Sequence, residues 1–178
     1  EHLDTPLAQA PSLGLHESQS RFWENQIGRS RSFWRHWFRP LAELFPEILT
    51  GIGADDFYRA INVVRPSLIR VEADEATYAL HIILRFEIES ALMQEEIRIA
   101  ELPALWNAKM KELLGIEPPN DAQGVLQDIH WSFGLVGYFP TYALGTLYAA
   151  QLFKRLRECL ANVDDLLEAG EMAPILQW

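Results

Sequence analysis

The sequence predicts an all-α, mostly helical chain with room for one short strand. Apolar residues return at three- and four-residue steps through most of the 178 residues, which is the period of a helix with one buried face. Proline, glycine and aspartate punctuate those stretches where helices start and stop. The alternation of a half-buried strand shows only weakly, at residues 67–71.

Residues 1–15 hold Pro6, Pro11 and Gly14 without a sustained period and read as a loop entering a helix. That helix is expected to open near His16 or Glu17 and to reach Pro40, because Trp23, Ile27, Trp34, Trp37 and Phe38 form one apolar stripe. Glu17 and Glu24, seven apart, lie together beside it. Pro40 and Pro46 bracket a short helical turn, and Gly51 and Gly53 mark a loop. Asp55 and Asp56 suit the capping of a helix through Asn62, which Pro66 closes.

Asp74 is a good N-cap for a helix from Glu75 to about Gln94. Ala79, Leu80, Ile82, Ile83, Leu84, Phe86 and Ile88 cover most of its circumference, so it is expected to be central and buried. One polar stripe interrupts it: Thr77, His81, Arg85 and Glu89 at four-residue steps, with Tyr78 alongside. Such groups, once buried, require partners, either in a satisfied core network or in a functional stripe. Pro103 starts and Gly115 ends a further amphipathic helix carrying Leu105, Trp106, Met110, Leu113 and Leu114. Glu117-Pro118-Pro119-Asn120 is a turn, and residues 121–136 are a loop with short helical pieces. Pro140 suits the first turn of a helix reaching about Arg157, in which Ala143, Gly145, Ala149 and Ala150 permit a neighbour's close approach. A last helix from Asp164 and a short turn complete the chain.

Composition excludes several classes. A net charge of -10 opposes nucleic acid and anionic lipid, whose binding draws on basic patches. The local exception is Arg21, Arg29, Arg31, Arg35 and Arg39, interleaved with aromatic residues in a pattern that superficially resembles a single-strand stacking surface. No uninterrupted apolar run reaches the roughly 18 residues of a membrane span, so a soluble protein without a membrane partner is expected. The single cysteine, Cys159, rules out an internal disulfide framework and thiolate zinc clusters, and points to the cytoplasm. Because the sequence begins at Glu1 without a methionine, it is expected to be a tag-trimmed chain, a proteolytic fragment or the ordered remainder of something longer.

The five histidines, His2, His16, His36, His81 and His130, include no pair three or four apart, so no helix offers two imidazoles on one face. His2 and His36 read as surface residues. Neither a phosphate-binding glycine loop nor a nucleophile elbow is present. What remains is an acid opening a helix, an arginine after an apolar pair, and a histidine and tyrosine in a glycine-rich loop. Together they would suit peptide hydrolysis: a carboxylate for a metal, a cation for a carboxylate, and imidazole or phenol donors for an oxyanion.

Three separated motifs sharpen that reading: His16-Glu17-Ser18-Gln19-Ser20-Arg21 continued by Trp23-Glu24-Asn25, Ile69-Arg70-Val71-Glu72-Ala73-Asp74, and Gly137-Tyr138-Phe139-Pro140 extended by Thr141-Tyr142. In their order and over nearly the whole chain, they resemble the carboxypeptidase Taq family of zinc metallocarboxypeptidases. The resemblance implies that residues 1–178 are the C-terminal helical part of a zincin-like catalytic domain, which removes C-terminal residues from peptides by metal-activated water attack.

The same resemblance implies site roles. Glu17 corresponds to the third zinc ligand, joining two histidines of an upstream His-Glu-x-x-His helix; without the resemblance it reads as a first-turn glutamate favoured by the helix dipole. Arg70 corresponds to an arginine at the substrate side of the cleft, gripping a terminal carboxylate or supporting the cleft, and it also suits an ion pair with Glu72 or Asp74. His130 and Tyr138 correspond to donors that stabilise the oxyanion, and Tyr142 to a neighbour on the substrate-binding side. His16 is placed either in the outer shell of the metal or facing solvent, and Glu24 in that outer shell. Phe133 departs from the family, standing where some relatives carry a polar residue.

The His-Glu-x-x-His, His-Pro-Phe and Asp-x-Arg-x-Thr motifs of the family do not occur in this chain. The zinc site, which could take other divalent metals, is therefore expected to be incomplete here, and the chain alone to be inactive. The expected partners are a peptide with a free C-terminus and a second copy in a homodimer. The rival reading is a noncatalytic helical dimerisation or interaction domain, or a degenerate relative.

Overall fold

The computed structural model describes residues 5–178, and among them the chain forms nine α-helices and no strand. In chain order these are α1 (Leu13–Arg21), α2 (Arg31–Leu44), α3 (Pro46–Leu49), α4 (Ala54–Ile61), α5 (Glu75–Met93), α6 (Leu102–Leu114), α7 (Pro140–Cys159), α8 (Val163–Ala169) and α9 (Ala173–Gln177). A π-helical segment, Phe22–Ile27, continues α1, and 3-10 turns occur at Arg70–Glu72 and Trp131–Phe133. The all-α expectation holds, but the short strand at residues 67–71 does not form. A side-chain amide takes up its backbone groups instead: Arg70 N–H donates to Gln127 Oε1 (2.9 Å), and Gln127 Nε2 donates to Leu68 O (3.0 Å).

The chain divides into two compact units, one built from the residues up to Val63 together with Leu144–Trp178, the other from Val64–Ala143. In the first unit, α1 opens at Leu13, ahead of the expected start, because Ser12 Oγ caps it by accepting from Leu15 N–H (3.1 Å). The helix then meets α7 through small residues. A Cβ on Gly145 would sit 2.6 Å from Glu17 Cβ and 2.9 Å from the Glu17 carbonyl carbon, so only glycine admits α1 at this point. Ser18 and Ala149 are fully buried at the same level of the unit, as the run of small residues in α7 anticipates.

The continuous helix expected up to Pro40 is broken and re-formed. Gly28 N–H bonds back to Trp23 O (2.8 Å) in the π pattern, the helix stops, and Ser30 Oγ caps α2 by accepting from Phe33 N–H (3.2 Å). Helix α2 then passes through Pro40 to Leu44. Pro40 is exposed, where water can serve the carbonyl that its missing N–H leaves unpaired. Asp55 and Asp56 lie in the first turn of α4 rather than capping it, since Gly53 is the N-cap. Of the arginines interleaved with aromatics, Arg31 grips Asp55 at 2.8 and 2.9 Å, Arg35 reaches Glu168 (2.6 Å) and Arg39 reaches Glu43 (2.9 Å), while Arg29 donates to Ile61 O (3.0 Å). Phe22, Ile27, Leu156, Val163, Leu166, Leu167 and Ile175 form the core of this unit. His36 is half-buried, with Nδ1 3.1 Å from Glu168 O, while His2 lies outside the described residues.

In the second unit, Asp74 caps α5 as its sequence position predicts, Oδ1 accepting from Ala76 and Thr77 N–H (2.9 Å each) and Oδ2 from Thr77 Oγ1 (2.7 Å). Helix α6 ends at Gly115, which adopts the left-handed conformation at φ 71°. Leu84 and Ile88 of α5 pack with Trp106, Met110 and Leu114 of α6 and with Val125. Ala73, Tyr78, Ile82 and Phe139 form a second cluster. Helix α5 is not buried all round, as its apolar circumference suggests. Ile83 and Phe86 are exposed, whereas the polar stripe of Thr77, His81, Arg85 and Glu89 turns inward. The reason is a set of polar partners from residues 127–131 that meet Arg85 and Glu89.

Candidate functional site

The second unit brings Arg70, Tyr78, Arg85, Asp128, His130, Tyr138 and Tyr142 into one neighbourhood. Asp128 is its electrostatic centre. Its Oδ1 accepts from Arg70 Nε (3.1 Å) and Nη2 (2.7 Å), and its Oδ2 accepts from Arg85 Nε (2.7 Å). Further donors of the two arginines are engaged: Arg70 Nη1 donates to Tyr78 Oη (2.8 Å), Arg85 Nη1 to His81 O (2.8 Å) and Arg85 Nη2 to Gln127 Oε1 (2.9 Å). The guanidiniums also lie against aromatic faces, Arg70 4.9 Å from the Tyr142 ring centre and Arg85 4.6 Å from that of Trp106. Further along α5, Glu89 Oε1 accepts from the Trp131 indole N–H at 2.7 Å.

The protonation states follow from burial against pairing. Burial alone would raise the Asp128 carboxyl, but the hydrogen bond from Arg70 and the charge of Arg85 hold it below its ordinary value. Burial pulls the Arg85 guanidinium down to about 10, against the charge and hydrogen bond of Asp128. His81 is fully buried. Burial first, then the charges of Arg85 and Arg70, lower it to about 4, so it is a neutral imidazole at neutral pH.

His130 stands beside this network. Its Nε2 lies 3.0 Å from Tyr142 Oη, its Nδ1 lies 3.8 Å from Asp128 Oδ1, and its ring packs 4.3 Å from Phe139 and 5.5 Å from Tyr138, centre to centre. The motif Gly137-Tyr138-Phe139-Pro140 makes this geometry. Gly137 adopts φ 80°, which a side chain would strain, Phe139 is buried as the anchor, and Pro140 begins α7. Tyr142 follows on the first turn of that helix, within reach of His130.

The remaining sequence-predicted residues belong to the first unit. Glu17 is half-buried on α1, held where Gly145 lets α7 approach, with Oε2 3.4 Å from Ser20 Oγ. His16 is exposed, and Glu24 is exposed and paired with Arg21 Nη1 at 3.1 Å. Among the described residues, no group of three or more histidine, cysteine, aspartate or glutamate side chains could hold a metal ion. The Glu17 carboxylate has the chemistry of one anionic oxygen ligand for zinc, and the described residues hold no whole site.

Arg70 is the prediction that the structure refines most. It is buried at 5% exposure and engaged with Asp128 and Tyr78. Sequence reasoning missed Gln127 and Asp128 altogether. The signal was present: an arginine in the inward stripe of α5 demands a counter-ion, and Asp128 stands two residues before His130.

A family model described as carboxypeptidase Taq (M32) metallopeptidase matches residues 1–178. Carboxypeptidase 1 of Bacillus subtilis (strain 168) is 53% identical over 174 residues, covering 98% of this chain and 35% of the relative. Thermostable carboxypeptidase 1 of Thermus thermophilus is 49% identical over 178 residues, covering 100% and 35%. The solved structure of Pyrococcus furiosus carboxypeptidase superposes with a TM-score of 0.92 at 45% identity, over 98% of this chain and 35% of that one. The chain thus spans about a third of the length of the relatives it matches.

Proposed function

Because the chain belongs to the carboxypeptidase Taq (M32) metallopeptidase family, we propose that residues 1–178 are the C-terminal helical part of a zinc metallocarboxypeptidase that releases C-terminal residues from peptides. The observation that carries this reading is the match over residues 1–178 to a family whose similar relatives are named carboxypeptidases. A bound zinc ion, or another divalent metal in its place, would activate water and polarise the scissile carbonyl.

Within this reading Glu17 holds the metal as one carboxylate ligand, and two histidines outside this chain complete the set. Its place over Gly145 supports the role, because the close approach of α7 fixes the backbone that carries the carboxylate. His130 and Tyr138 are the donors for the oxyanion, with Tyr142 beside them on the substrate side; the 3.0 Å contact between His130 and Tyr142 supports their acting as a unit. Arg70 frames this wall rather than gripping the peptide carboxylate, since its donors go to Asp128 and Tyr78. His16 and Glu24 belong to the outer surroundings of Glu17. We place the protein in the cytoplasm as a homodimer, its single cysteine, Cys159, suiting a reducing compartment. No helix among the described residues is long and apolar enough to cross a membrane.

The test is to incubate the full-length protein carrying this chain with a short peptide and follow single-residue shortening by mass spectrometry. The reading predicts release that stops with a chelator, returns with zinc, and fails on a C-terminally amidated peptide. Cleavage of the amidated peptide at an internal bond would contradict it. The 178-residue chain alone is expected to release nothing.

A further inference from the structure

We infer that Asp128 is the positioning residue of this site: its one carboxylate locks Arg70 and Arg85 and thereby fixes the loop that presents His130 to the substrate. The inference rests on the reading above, in which His130 acts at the reacting carbonyl.

The geometry is specific. Asp128 lies between two guanidiniums that are 5% and 0% exposed and divides its oxygens between them, Oδ1 to Arg70 and Oδ2 to Arg85. The adjacent Gln127 bonds to the same two residues, accepting from Arg70 N–H and Arg85 Nη2 at 2.9 Å each. Residues 127 and 128 are thus anchored to two separate elements, the turn Arg70–Glu72 and helix α5. His130 follows two residues later, its Nδ1 3.8 Å from the Asp128 oxygen that Arg70 holds and its Nε2 3.0 Å from Tyr142 Oη. On the far side of His130 the loop is held by Trp131, whose indole N–H donates to Glu89 Oε1 at 2.7 Å, so Asp128 and Gln127 are the anchor on the near side. Asp128 is 11% exposed at its side chain and gives both oxygens to the two arginines, so its effect on catalysis is exerted through His130.

The experiment compares Asp128→Asn and Asp128→Glu with His130→Ala in the full-length protein carrying this chain, reading kcat, KM, zinc content and the thermal unfolding midpoint. We expect Asp128→Asn, with full zinc content, to lower kcat by about 10- to 100-fold with KM within about twofold of wild type. Asp128→Glu, which keeps the neutralising charge, recovers part of that loss; should the asparagine variant not fold, the glutamate variant carries the comparison, with a kcat below wild type expected. Wild-type kcat in either folded Asp128 variant, while His130→Ala is impaired, overturns the positioning role. Wild-type kcat in His130→Ala instead overturns the reading on which it rests.

Discussion

In the first unit the arginines meet their acids at the surface, as in Arg31 with Asp55, Arg35 with Glu168 and Arg39 with Glu43, whereas in the second Arg70 and Arg85 meet one acid, Asp128, in the interior. The same chemistry therefore carries different weight in the two places. Exposed pairs gain little because water and salt screen them. A buried carboxylate between two guanidiniums cannot be removed without leaving charge stranded. Helix α5 shows the consequence: it turns Thr77, His81, Arg85 and Glu89 inward and leaves Ile83 and Phe86 outside, because the partners of Arg85 and Glu89 are inside.

The largest effect is expected at the centre of the buried network. Asp128→Ala should destabilise the protein by about 3–5 kcal/mol in urea unfolding, since it strands two guanidiniums. A loss no greater than that of a surface pair would dissolve the contrast between the units.

His81 tests the same interior by pH. Its folded value of about 4 lies below the ordinary histidine value, so between the two the unfolded chain binds the proton and the folded one does not. Stability is therefore lost as pH falls from roughly 6.5 towards 4, by about 3 kcal/mol from this residue. His81→Leu should flatten that slope while leaving stability near pH 7 little changed, measured by unfolding at a series of pH values. Arg85, Arg70 and Asp128, the charged groups that act on it, keep their charges over this range.

Gly145→Ala probes a different kind of constraint, packing without charge. The added Cβ meets Glu17 Cβ and backbone, so a loss of about 1–3 kcal/mol is expected, accompanied by weaker zinc retention in the full-length protein. Smallest of all, Arg31→Ala should leave the unfolding midpoint within experimental scatter despite its two short hydrogen bonds to Asp55. A clear drop there would mean that surface pairs also hold the first unit together.

What the sequence made legible was local. Asp74, Pro103, Gly115 and Pro140 act within a turn of where they stand, so the limits of α5, α6 and α7 could be read from the residue types alone. Pro40 misled because an exposed proline breaks one hydrogen bond rather than a helix. The expected strand at residues 67–71 failed because the side chain of Gln127, nearly sixty residues away in sequence, captured the backbone. For the site, the motifs marked Glu17, Arg70, His130, Tyr138 and Tyr142, but periodicity could not show that Arg70 is enclosed. Its binding to Asp128 spans 58 residues, and no local pattern records such a pairing.

Zinc content and peptide shortening by a Glu17→Ala variant of the full-length protein, beside wild type, test the central claim most directly. The account predicts a folded variant that has lost its zinc and releases no C-terminal residue. A variant that keeps one zinc per chain and wild-type release would contradict it.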